Sequence, residues 1–180
     1  MSINVTLPPL TLVLGGARSG KSAYAEALIA AHGGESGQTY IATAMPHDEE
    51  MAARIALHRQ RRGEGWHTVE EELDLIGALR AQPPGRAVLV DCLTLWLSNL
   101  LLAQRDPEDE IKALSEALPH LAGPVVLVSN EVGLGIVPDN LLARDFRDHA
   151  GRLNQVVAAL AQRVVFVAAG LPLFLKDQAP

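Results

Sequence analysis

The chain has 180 residues, 48% of them apolar and 20% charged, which supplies one hydrophobic core and excludes a disordered protein. A mass of 19.2 kDa leaves no room for two full domains, so residues 1–180 are read as one. Fifteen basic residues against 21 acidic ones give a net charge of −6, which argues against wholesale binding to nucleic acid or anionic lipid.

From the N-terminus onward, Met1–Leu10 has no basic patch followed by an apolar stretch, so no secretory signal is expected. Leu10–Leu14, Thr39–Thr43, Ala87–Asp91, Val125–Asn130 and Val164–Ala169 are short apolar runs rich in β-branched residues. They are continuous rather than alternating, as in strands buried on both faces of a parallel sheet. Helical patterns fall between them at Lys21–His32, Asp48–Arg62, Asp109–Leu121 and Leu141–Gln162. Turns are expected at Gly33–Gly37, Gln82–Arg86 and Gly123–Pro124. Strand and helix in alternation predict right-handed crossovers and a three-layer α/β domain with a mostly parallel central sheet. The longest nearly uncharged run, Cys92–Gln104, has 13 residues and is interrupted by Ser98 and Asn99. A membrane span needs about 20, so none is expected. The single cysteine, Cys92, cannot form an internal disulfide, and a reducing cytoplasm is the expected location. Leu171–Leu175 is an apolar tail expected to pack against the body.

Ligands of such sheets bind beyond the carboxyl ends of the strands, which directs attention to the residues after Leu14, Thr43, Asp91 and Asn130. Gly15-Gly16-Ala17-Arg18-Ser19-Gly20-Lys21-Ser22 matches G-x-x-x-x-G-K-[ST] in full, between a predicted strand and a predicted helix. Glycines let backbone N–H groups close around phosphate oxygens, and the helix N-terminus faces the same place. Lys21 is expected to reach the β- and γ-phosphates and the Ser22 hydroxyl to take a Mg²⁺ position. Asp91, ending its strand, qualifies as the second acid of that metal site and as an N-cap for Leu93–Leu102, two roles that do not exclude each other. Arg18 is either a phosphate contact or an exposed loop arginine.

Acids at Asp48-Glu49-Glu50 and bases at Arg54, His58, Arg59, Arg61 and Arg62 suit the two ends of a helix macrodipole. Arg54, His58 and Arg62 also share one face, and flanking positive charge favours a neutral imidazole, a competent nucleophile toward phosphorus. Glu70 is either a hydrogen-bond acceptor for a base or ribose or a surface acid. Ser129–Gly135 reads as a ligand loop. Beyond it, Arg144, Arg147, Asp148, Arg152 and Asn154 form either a salt-bridged solvent face or part of a site or subunit contact.

GGARSGKS, YIATA, HDEEMAARI, the H-R-x-x-R of His58–Arg62, the W-x-T-x-E of Trp66–Glu70 and SNEVGLGIVPDNLLARDFRDHAGRLNQ follow one another in a single order. In this the chain resembles the bifunctional adenosylcobinamide kinase/adenosylcobinamide-phosphate guanylyltransferase family of cobalamin synthesis, from about Leu12 to Lys176. The phosphate loop is widespread, whereas EVGxGIVP together with R-I-x-x-H-R is highly characteristic. The resemblance implies a recombinase-like P-loop NTPase fold, Mg²⁺ dependence and a homotrimer. It implies phosphorylation of adenosylcobinamide by ATP or GTP, then transfer of GMP from GTP onto that phosphate through a GMP-histidine intermediate. The motif places that histidine at His58, with Lys21 as the other catalytic residue. Thr43, Ala44, Met45, Arg59, Gln60, Arg61, Arg62, Glu70 and Asp91 fall where the family surrounds GTP. Asp91 stands where some members carry glutamate, and Pro46–His47 departs from the usual pattern. Two other readings of the cradle stay open: a kinase for another small metabolite, and a non-catalytic nucleotide switch.

Overall fold

The computed structural model describes residues 7–32, 37–44 and 65–178. The expected helix Asp48–Arg62 and the candidates Met45, His58, Arg59, Gln60, Arg61 and Arg62 lie outside the described residues.

Among the described residues seven strands form one sheet: β1 (Leu10–Gly15), β2 (Gln38–Ala42), β3 (Trp66–Glu70), β4 (Ala87–Asp91), β5 (Val125–Asn130), β6 (Arg163–Ala168) and β7 (Leu171–Asp177). Their order is β3-β2-β4-β5-β1-β6-β7. All neighbouring pairs are parallel except β6 and β7, which are antiparallel with an irregularity between Val164 and Val165. The helices are α1 (Lys21–His32), α2 (Leu75–Arg80), α3 (Leu93–Leu102), α4 (Pro107–Ala117) and α5 (Leu141–Leu160), with a 3-10 turn at Leu118–His120.

The continuous apolar runs are explained by burial on both faces. Leu12, Val90 and Leu127 point into a layer with Leu75, Trp96, Leu97, Leu114 and Leu153 from α2 to α5. Their neighbours Val13, Leu89, Val126 and Val128 point the other way, toward Ala25 and Ile29 of α1. Each leucine fully buried in this way contributes about 1.5–3 kcal/mol.

Two strands depart from the expected set. β3 is a sheet edge, and its residues Trp66–Glu70 are only half-buried or exposed, so it carries no uninterrupted apolar signal. β7 is the other edge; it packs on the body through main-chain pairing, while Leu171, Leu173, Phe174 and Leu175 stay exposed. The apolar run Leu95–Leu102 reads in the sequence as an exposed segment that copies of the chain would bury against one another, and the structure corrects this. Trp96, Leu97 and Leu100 are fully buried in α3, and of the large hydrophobic side chains there only Leu102 is exposed. The helix expected from Asp109 starts at Pro107, because Asp106 caps it by accepting from the amides of Glu108 and Asp109.

Candidate active site

The phosphate-loop motif lies between β1 and α1, at the carboxyl end of the sheet. β1 enters it at Gly15, which pairs with Asn130 of β5 on one side and Val167 of β6 on the other. A Cβ at Gly15 would come within 2.5 Å of both the Val167 carbonyl oxygen and Ser19 Oγ, so only glycine fits. Arg18 (φ 55°) and Gly20 (φ 95°) then turn the backbone through the left-handed region. The Ser19 amide donates to the Gly16 carbonyl at 3.3 Å, and the Gly170 amide donates to the Ser19 carbonyl at 2.8 Å. The turn between β6 and β7 thus braces the loop from outside.

Lys21 is buried, and its Nζ donates to the Gly16 carbonyl at 3.0 Å, so the ammonium is held inside the loop. Burial lowers its pKa; Cys92, in its thiolate form, and the Asp91 carboxylate oppose that shift. Ser22 follows on the first turn of α1 and is half-buried. Asp91 ends β4, and Tyr40 Oη donates to its Oδ2 at 3.2 Å. Asp91 is not the N-cap of α3; Cys92 holds that position and makes no side-chain cap bond. The Cys92 thiol is buried, and desolvation with Asp91 alongside pushes its pKa up to about 11.

Glu70, Ala42 and Asp91 stand in one row across β3, β2 and β4, which brings Glu70 to the same rim as the cradle. Thr43 and Ala44 follow β2 directly; the Thr43 side chain is fully buried and that of Ala44 half-buried. The Thr43 hydroxyl is therefore withdrawn from the surface of this segment, whereas Ala44 is partly accessible.

Two polar side chains behind this rim, buried Thr94 and half-buried Asn99, were not singled out by the sequence. Asn99 Nδ2 donates to the carbonyls of Thr43 and Glu72, and Thr94 Oγ1 accepts from Asn130 Nδ2 at 2.7 Å. The available signal is the pair Ser98-Asn99 inside an otherwise apolar run, which in the sequence serves only to exclude a membrane span. The Ser129–Gly135 segment begins in the last two residues of β5 and leaves the sheet at Glu131, whose amide donates to the Gly15 carbonyl at 3.1 Å. Glu131 Oε1 accepts from the Gly133 amide, and Arg144 Nη1 donates to the carbonyls of Pro138 and Asp139. Between these ties the loop projects Leu134 (82% exposed), Ile136 (98%) and Val137 (62%) into solvent. Farther along α5, Arg147 pairs with Asp148, and Arg152 pairs with Glu108 of α4.

The donors offered near the cradle are a hydroxyl and a carboxylate, from Ser22 and Asp91. These hard oxygen ligands suit Mg²⁺ bound together with a triphosphate, whose oxygens and water would complete its coordination. Among the described residues no cluster of three or more His, Cys, Asp or Glu forms a self-sufficient metal cage. A cation held chiefly by substrate needs none.

The family model described as cobinamide kinase/cobinamide phosphate guanyltransferase matches residues 11–175. The bifunctional adenosylcobalamin biosynthesis protein CobP of Pseudomonas aeruginosa is 53% identical over 173 residues, covering 93% of this chain and 97% of that one. CobU of Escherichia coli, which bears the same bifunctional description, is 46% identical over 184 residues, covering 93% and 99%. Among solved structures, an ATPase from the type III secretion system of pathogenic bacteria superposes with a TM-score of 0.54 at 14% identity, over 94% of this chain and 56% of that one. The flagellar accessory protein FlaH of Methanocaldococcus jannaschii gives 0.52 at 12%, over 93% and 78%. At such identities the structures speak for the fold alone, and that fold is the P-loop NTPase α/β sheet. With the cradle built as its motif requires and nearly the whole chain matched, this protein belongs to the cobinamide kinase/cobinamide phosphate guanyltransferase family.

Proposed function

We propose that residues 1–180 form one catalytic domain that carries out two successive transfers in the cytoplasm. The first phosphorylates adenosylcobinamide with ATP or GTP; the second joins GMP from GTP to that phosphate, giving adenosylcobinamide-GDP. The observation that carries the reading is the buried Lys21 ammonium held inside the Gly15–Ser22 loop, with Asp91 close enough to act on its charge.

In the kinase step the acceptor hydroxyl attacks the γ-phosphorus, the bond to the β-phosphate oxygen breaks, and the nucleoside diphosphate leaves. Little covalent work falls to the protein, so positioning and charge neutralisation dominate. The loop amides hold the phosphates, and Lys21, already partly desolvated, neutralises charge where water is scarce. Ser22 and Asp91 would hold Mg²⁺, which when bound draws charge from the phosphate oxygens.

In the guanylyl step His58 attacks the α-phosphorus of GTP, and pyrophosphate leaves. A phosphate oxygen of the acceptor then attacks the same phosphorus and frees the imidazole. Dividing one displacement into two gives each an activated phosphorus and a good leaving group. Arg59, Arg61 and Arg62 neutralise the triphosphate, and Glu70 with the Thr43–Met45 segment lies around the guanosine. The role of His58 rests on its place in R-I-x-x-H-R. We also propose a homotrimer, supported by the exposed apolar side chains of Leu134–Leu142 and β7.

The deciding experiment is incubation with GTP followed by mass spectrometry. One GMP should be added to the peptide containing His58 by an acid-labile, alkali-stable phosphoramidate bond, with pyrophosphate released in equal amount. His58→Asn should keep the kinase step and lower guanylyl transfer by several orders of magnitude. Adduct on another residue, or full guanylyl transfer by that variant, would overturn the assignment.

A further inference from the structure

Asp91 sits on a strand end, where a side chain can swing with the peptide that follows it. Here both polar groups of that peptide are held by a single residue. The Thr43 amide donates to the Asp91 carbonyl at 3.3 Å, and Thr43 Oγ1 accepts from the Cys92 amide at 2.8 Å. The same hydroxyl donates its proton to the Cys92 carbonyl at 2.8 Å. Thr43 is 0% exposed, so its hydroxyl is committed to these main-chain partners. Thr43 is itself tied in place: Asn99 Nδ2 donates to its carbonyl at 2.9 Å and to the Glu72 carbonyl at 3.1 Å. α3 thereby joins the exits of β2 and β3, and Thr43 joins β2 to β4. Tyr40, on β2 itself, orients the carboxylate directly through Oδ2.

We propose that Thr43 is a positioning residue that aims Asp91 at the nucleotide-bound cation, with Asn99 holding Thr43 in register. The inference rests on the reading of Asp91 as a Mg²⁺ ligand and goes beyond it by naming what orients that ligand. Residues that orient a metal ligand typically change metal affinity by about 10- to 100-fold when removed.

The test uses the full chain with Mn²⁺ as a paramagnetic probe and a β,γ-imido analogue of GTP. Electron paramagnetic resonance reads both Mn²⁺ affinity and the number of water ligands through broadening by ¹⁷O-water. Asp91→Asn sets the reference for loss of the carboxylate, and should weaken Mn²⁺ and add bound water. Thr43→Ala is preferred to valine, whose methyl would crowd two main-chain groups now at 2.8 Å. It should weaken Mn²⁺ about tenfold and move the water count toward the Asp91→Asn value. Thr43→Ser, which keeps the hydroxyl, should return to within about twofold of the parent.

Near-ultraviolet circular dichroism of buried Trp96 reports whether each variant folds. If Thr43→Ala does not, Asn99→Ala decides, with a smaller loss of Mn²⁺ affinity expected. Parent-like Mn²⁺ binding by folded Thr43→Ala, while Asp91→Asn loses it, would overturn the positioning role and leave Asp91 as a ligand. Equal losses in the alanine and serine variants would also overturn it, since the hydroxyl would then not be the cause. Parent-like binding by Asp91→Asn would overturn the ligand reading itself, and this inference with it.

Discussion

Two loops leave neighbouring strands at the same end of the sheet and solve opposite problems. Gly15–Ser22, after β1, turns its polar groups inward: Lys21 is buried and bonded to Gly16, and glycine is required where β6 approaches. Glu131–Asn140, after β5, turns its apolar groups outward, with Leu134, Ile136 and Val137 exposed. Yet the second loop is tied down at its base by Glu131, Arg144 and the Asn140 cap on α5. The contrast shows that exposure and irregularity are separate properties. One loop is shaped to enclose a small, highly charged group, and the other to present a fixed apolar surface.

That contrast can be broken most severely at Lys21. Lys21→Ala should reduce both transfer activities by about 10²- to 10³-fold, the scale for removing a preorganised charge at a reacting phosphate. Steady-state assays of each step check it; an unimpaired kinase rate would mean that this loop is not the kinase site. Next in size is the outward loop. Leu134→Glu combined with Ile136→Glu should convert the proposed trimer to monomer by light scattering at micromolar concentration. Because both side chains are exposed, the folded protomer should lose no more than about 0.5 kcal/mol per substitution. A trimer that survives both charges would place the subunit contact elsewhere, with the β7 row the next surface to test.

A smaller effect sharpens the claim that this loop is held rather than loose. Arg144→Ala removes the side-chain donor to the carbonyls of Pro138 and Asp139, at a cost of about 1.5–3 kcal/mol. Hydrogen exchange should quicken from Gly133 to Asn140 and stay unchanged at Gly15–Ser22. The smallest perturbation concerns Cys92. With its pKa raised to about 11, the folded protein should resist iodoacetamide near pH 8, while the urea-unfolded chain reacts as an ordinary thiol. Rapid alkylation of the folded protein would show that the space behind the cradle opens to solvent.

The parts of this structure most legible in the sequence are those in which one stretch of chain carries its own signal. β1, β4 and β5 are buried on both faces and announce themselves as apolar runs, and Gly15–Ser22 contains its own turn chemistry. β3 and β7 are less legible because an edge strand need not be apolar on both faces. The tail after Leu171 reads as packing material, whereas its chief contribution is main-chain pairing with β6. The polar set behind Asp91 is illegible for another reason. Thr43, Asn99 and Glu72 are distant in sequence, and Asn99 reaches the other two through their carbonyls, which every residue possesses. Only the sheet order β3-β2-β4 brings them together. Arg144 belongs to the same class: its charge suggests a salt bridge, but its guanidinium reaches two backbone carbonyls.

The Gly170 amide that donates to Ser19, together with the 3.1 Å approach that a Cβ at Gly20 would make to Gly170 Cα, has a consequence for anyone engineering this chain. The β6–β7 turn is a buttress rather than a spare end. An insertion at Ala169–Gly170, or a graft that replaces the hairpin, would be transmitted to a loop near the opposite end of the sequence. Tags, reporters and surface tethers are better attached past Asp177, where β7 ends, than within the turn. Conversely, a chemical label placed on that turn would act as a strain gauge, reporting the filling of the phosphate loop without occupying it.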